Sequence, residues 1–135
     1  MPHDFSSIEQ AIAVLQDTSR RELERVTAVS YLEEVGTPEA IDALISVLDD
    51  DDYGVRWAAA EALAKLGAAA APAVLRAILA PYTDDRFRES AHHIFKENSD
   101  PQIREAAQPL IHALETSTGV DDLTEAAKLL KRLTA

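Results

Sequence analysis

The strongest constraint on this chain is that it repeats itself. Arg25–Gly36, RVTAVSYLEEVG, lies over Arg56–Gly67, RWAAAEALAKLG, at an offset of 31 residues. Arg25 then meets Arg56, Ala28 meets Ala59, Leu32 meets Leu63, Val35 meets Leu66 and Gly36 meets Gly67. A third copy, Phe87–Glu97, FRESAHHIFKE, follows at an offset of 32, with Phe87 over Val55, Arg88 over Arg56, Ala91 over Ala59 and Phe95 over Leu63. The intervening segments match as well: Ala40–Asp50 resembles Ala73–Thr83 and Glu9–Asp17. A unit this short cannot bury an apolar face alone, so copies must stack on one another.

Each unit reads as two short helices, A then B. In an A segment, Val55, Ala59, Ala62, Leu63 and Leu66 share one helical face; in a B segment, Ile41, Leu44, Ile45 and Leu48 do the same. Gly36 and Gly67 stand just past their A helices, where a left-handed residue ends a helix at little cost. Pro38 suits the first turn of the helix that follows. The spacing predicts eight helices over 6–17, 20–35, 38–49, 53–66, 70–81, 84–97, 101–116 and 120–134. Gly119 is expected to break the seventh, and the last, with Leu123, Ala126, Leu130 and Leu133 on one side, to close the stack. One domain, 1–135, is expected.

The stretch from Leu48 to Leu63 meets the pattern Leu-x-Asp-x-Asp-x-x-Val-Arg-x-x-Ala-Ala-x-Ala-Leu throughout, with Asp50, Asp52 and Arg56 at its polar positions. In this the chain resembles HEAT-repeat proteins, of the short-repeat type named after phycobilisome lyases. The other copies are looser: Glu24 replaces Val55 and His92 replaces Ala60. The resemblance implies an all-α, right-handed α-α superhelix, a solenoid of about eight helices. It also implies a polar ladder between neighbouring repeats, made by Asp52 and Arg56 with Asp50, Arg25 and Arg88 beside them. One segment departs from the register. Asp100–Ala107, DPQIREAA, reads as another A start, yet Arg104 follows Arg88 by 16 residues, half a repeat. An A-type sequence is therefore expected in a B slot, kinked or split by Pro109.

Charge and composition exclude several roles. The formal charge is −11, so acids dominate and neither a nucleic-acid backbone nor an anionic membrane is the expected partner. Residues 33–52 hold eight acids and no base, which suits a basic partner or simply solubility. No cysteine is present, which removes disulfides and thiolate chemistry and fits a cytoplasmic protein. The opening MPHDFSSIEQ lacks a secretory pattern, and no apolar run is long enough to span a membrane.

Catalytic constellations are not evident, and neither a catalytic residue nor a cofactor is expected. Asp49–Asp52 are adjacent, without the spaced oxygen ligands and glycine turn of a calcium loop. Asp52 instead precedes a helix and suits its N-cap, leaving Asp49 and Asp51 as solvated charge. Glu89, His93 and Glu97 share a helical face that could hold a divalent ion, but His93 aligns with Glu61, an exposed slot. Deoxyhypusine hydroxylases, iron-dependent HEAT enzymes, carry repeated His-Glu pairs; none of His3, His92, His93 and His112 is followed by Glu. Neither a nucleophile elbow nor a glycine-rich phosphate loop is present.

What remains is surface. The resemblance implies that B helices line a concave side that grips partners, with Asp42, Ser46, Leu75, Arg76, Leu79 and His112 in the outward slots. Leu75 and Leu79 would then form an apolar patch with a polar rim. Trp57, the sole tryptophan, is expected to cover the adjoining helix. The reading is a non-catalytic scaffold for a protein partner. The alternative, carried by resemblance alone, is one subunit of a phycobilin-lyase-like enzyme handling a bilin or a chromophore protein; self-association through an end of the stack is a third.

Overall fold

The computed structural model describes residues 5–80, 84–116 and 120–135. Within them every regular element is helical. The helices are α1 Ile8–Gln16, α2 Glu22–Val35, α3 Pro38–Ile45, α4 Tyr53–Lys65, α5 Ala71–Leu79, α6 Asp85–Lys96, α7 Pro101–Ala106, α8 Gln108–Thr116 and α9 Val120–Thr134. A 3-10 turn, Gly67–Ala69, leads into α5. The expected break at Gly119, the end of the fifth predicted helix at Pro81, and His3 lie outside the described residues.

Local chemistry explains the starts and stops. Ser7, Thr37, Asp52, Asp84 and Asp100 each cap the next helix by accepting a main-chain N–H from its first turn. Gly36 ends α2 at φ 64°, and Gly67 follows α4 at φ 61°. At Gly67 a second reason applies. A Cβ there would lie 2.7 Å from Ser99 Oγ, so this turn is pressed against the α6–α7 turn.

The helices form two rows. In one, α2 packs on α4 and α4 on α6; in the other, α1 packs on α3 and α3 on α5. The apolar faces predicted from the repeat meet between the rows. Leu15, Leu32, Leu44, Val55, Leu63, Val74, Ile94 and Phe95 are fully buried there. Burial of each large side chain of this kind contributes roughly 1.5–3 kcal/mol, which drives neighbouring repeats together.

The regular alternation stops after α6. The segment predicted as one helix, 101–116, is two, parting at Ala107 with Pro109 in the first turn of α8. The place beside α5 goes to α9, while α8 packs against α6 and α9. This corrects the expected helix order, in which 101–116 followed α5 in the B row. On α9 the buried stripe is Ala126 and Leu129, while Leu123, expected inside, is 45 % exposed. The register is shifted by a buried polar residue: Asp122 is 3 % exposed and pairs with Arg88 of α6 at 2.6 Å. Among the described residues no single helix is long and apolar enough to cross a membrane.

Candidate partner-binding surface

The four aspartates sit in the turn between α3 and α4; Asp49 is exposed, and the other three have different partners. Asp52 is used by its own helix, its Oδ1 accepting from the N–H groups of Gly54 at 2.9 Å and Val55 at 3.3 Å. Asp50 faces the preceding repeat. Arg25 on α2 donates to both its oxygens, at 3.1 and 2.6 Å. Arg25 also donates its Nε–H to the Leu15 carbonyl at 2.8 Å, so one buried guanidinium ties α1, α2 and the α3–α4 turn. Asp51, itself fully exposed, pairs with Arg86 of α6, a surface contact that adds little to stability.

This revises the expected ladder. Arg56 donates to the main-chain carbonyl of Asp50 at 2.8 Å, not to Asp52. The reason lies in what α2 sets opposite each carboxylate: Asp50 meets Arg25, whereas Asp52, already capping α4, meets the carboxyl of Glu22. Arg88 reaches forward to Asp122. The ladder is therefore Arg25–Asp50 and Arg88–Asp122, with Arg56 bracing its own turn. Burial pushes the Asp50 carboxyl up, but Arg25 and the Asp52 N–H outweigh it and hold Asp50 below the usual carboxylate range. At the foot of α4, the neighbouring Asp52 carboxylate pushes Glu22 above its ordinary value.

Beside this turn, α4 and α6 enclose an open groove of about 350 Å³. Its wall on α4 is the strip Tyr53, Arg56, Trp57 and Ala60; on α6 it is Glu89, Ser90, His92 and His93. Tyr53 and Trp57 are one turn apart and near-parallel, with ring centroids at 6.3 Å and planes at 16°. Both are exposed, at 62 % and 45 %. Arg56 lies over the Tyr53 ring, 5.2 Å from its centre. Across the groove His93 packs on Trp57 at 4.4 Å and bonds Glu61 at 3.0 Å. His92 points the other way, to Glu115 of α8 at 2.8 Å, and this bond holds the Glu115 carboxyl below its usual value. Trp57 thus covers part of α6, as expected from its place on α4, and keeps nearly half of its surface exposed.

Sequence reasoning passed over this groove, although two signals were there. Tyr53, Trp57 and Glu61 recur every four residues, on one strip of α4. Glu61 and His93 occupy the same slot in consecutive copies, and equivalent slots in stacked repeats are neighbours in space. His93, which shares a helical face with Glu89 and Glu97, engages its Nε2 with Glu61 on the neighbouring helix. Among the described residues no three His, Asp or Glu side chains assemble into a metal-binding group.

The B-row candidates fare unevenly. Asp42, Ser46, Arg76 and His112 are exposed. Ser46 is occupied, donating to the Ala43 carbonyl at 2.6 Å and accepting from Gln16 Nε2 at 3.0 Å. Leu75 is not on the surface at all: it is fully buried in the core, and only Leu79, 36 % exposed, reaches solvent. The residues are four apart, but α5 is turned so that Val74, Leu75 and Ile78 face inward together. The two-leucine patch expected there does not exist.

A family model for HEAT repeats matches residues 8–96, about two thirds of the chain. The match begins with α1 and ends on the last residue of α6, where the two-row alternation gives way to α7–α9. No curated protein matches the chain.

Proposed function

From its membership of the HEAT-repeat family, we propose that this chain is a non-catalytic scaffold that binds a protein partner. The observation that carries the reading is the exposed Tyr53–Trp57 pair over an open groove. Large aromatic side chains lose little conformational entropy when covered and dominate the energetics of protein contacts. Packing accounts for them only in part: Trp57 covers α6 yet stays 45 % exposed and Tyr53 62 %, while Val55, Ala59 and Leu63 fill the core on the opposite side of α4. The binding face is accordingly moved from the B row, where Leu75 is inside, to the outer face of the α2–α4–α6 row.

The test is co-purification under native conditions with three forms of the chain: unaltered, Tyr53→Ala/Trp57→Ala, and Arg76→Ala/Leu79→Asp. The first and third forms are expected to retain the same partner and the second to lose it. Loss with the third form alone would return the contact to the B row. No partner with any form would sink the scaffold reading.

A further inference from the structure

We propose that the α4–α6 groove takes a basic segment of the partner, with a lysine or arginine side chain laid on Trp57. This rests on the scaffold reading and names the chemistry of its ligand. Three observations point the same way. First, the indole of Trp57, 45 % exposed between Tyr53 and His93, attracts a cation through its ring quadrupole. The groove already holds one such contact, Arg56 over Tyr53, and Arg56 is also bonded to the Asp50 carbonyl. Second, carboxylates flank the indole. Glu61 stands one turn along α4 and Glu89 lines the facing wall. Glu61 is only partly engaged by His93 and keeps 38 % of its side chain exposed. Third, Arg56 and Glu89 balance among the lining residues and Glu61 adds an acid beside them, in a chain of formal charge −11. A cation on Trp57 would have Glu89 on the facing wall and Glu61 one turn along α4. An acidic segment would meet like charge.

An acidic protein attracts basic peptides everywhere on its surface, so the experiment must separate the groove from the overall charge. The probe is a short fluorescein-labelled peptide alternating serine and lysine, with a serine–glutamate peptide for comparison, followed by anisotropy at low and physiological salt. Trp57, the only tryptophan, reports directly, since an occupant on its ring changes its emission. The intact chain is expected to bind the lysine peptide with a change in tryptophan emission and to ignore the glutamate peptide. Glu61→Gln/Glu89→Gln should weaken binding about tenfold, as should Trp57→Ala, while Trp57→Phe retains part of it. Glu9→Gln/Glu39→Gln removes the same charge from exposed sites on α1 and α3 and should change affinity less than about twofold, within the screening of distant charges. Equal weakening by both double variants, or binding without any change in tryptophan emission, would overturn the proposal. So would failure of the lysine peptide to bind a chain that still co-purifies its partner through Tyr53 and Trp57; that result would leave the scaffold reading standing.

Discussion

Two turns in this molecule are built to one recipe and end in opposite electrostatic states. In the α3–α4 turn, Asp50 Oδ1 accepts the N–H of Asp52, Asp52 caps α4, and Arg56 bonds the Asp50 carbonyl. In the α6–α7 turn, Asn98 Oδ1 accepts the N–H of Asp100 at 3.0 Å, Asp100 caps α7, and Arg104 bonds the Asn98 carbonyl at 2.5 Å. The frame is the same. The first residue differs: Asp50 is charged and takes the buried cation Arg25, while Asn98 is neutral, fully buried and set on Gly67. Its amide NH2 has no partner among the described residues. The comparison separates two jobs. Making the turn needs only a short side-chain oxygen and a cap. Locking the turn to the previous repeat needs a charge with an opposite charge waiting for it.

The largest effect should come from giving the second turn the first turn's charge. Asn98→Asp buries a carboxylate where no counterpart of Arg25 reaches it. A loss of ~3 kcal/mol or more is expected in denaturant melts, partly recovered on acidification as the new carboxyl takes up a proton. Unchanged stability would mean that Arg104 serves as well as Arg25 does. The converse exchange, Asp50→Asn, keeps the turn's hydrogen-bond frame but leaves Arg25 buried without a countercharge. It should cost about 2–3 kcal/mol at neutral pH.

The same exchange sets a pH signature. The carboxyl of Asp50 is held lower in the folded chain than in the unfolded chain, so its stabilisation is present above about pH 4 and fades as pH falls through its folded value. Asp50→Asn should therefore converge on the unaltered protein in acid. A gap between the two melting curves that stays constant down to low pH would argue against the ion pair as its source.

Gly67→Ala tests the contact beneath the second turn. It combines a left-handed φ with a Cβ driven against Ser99, and about 2 kcal/mol is expected. Gly36→Ala meets nothing closer than 3.6 Å and should cost less, about 1 kcal/mol from φ alone. The smallest effects belong to the shared frame. Asp52→Ala and Asp100→Ala should each cost ~1 kcal/mol, the value of a lost cap, and should match within error. A much larger loss for Asp52 in thermal melts would give it a place in the ladder after all.

Much of the fold was legible because its signals are local. The apolar faces, the cap at Asp52 and the left-handed glycines at 36 and 67 each depend on residues a few positions apart, and the offset of 31–32 residues repeats them. The candidate surface was legible only in part. Asp50 and Asp52 both fit the pattern, but which of them meets an arginine depends on what α2 sets opposite each, Arg25 for Asp50 and Glu22 for Asp52. Leu75 and Leu79 occupy equivalent turns, but how far α5 is rotated about its axis decides that one is core and the other rim. The C-terminal order was the least legible, because no repeat register constrains residues after the last matched copy.

The sequence by itself determined that this chain stacks two-helix repeats, where most of those helices begin, and which faces they bury. Those are consequences of backbone capping and of a 3.6-residue apolar period, both of short range. Only the tertiary structure decided that Arg25 reaches Asp50, that α9 lies along α5, and that Trp57, His93 and Glu61 meet across two helices. Those outcomes depend on the rotation and spacing of elements distant in sequence, and many-body packing sets both.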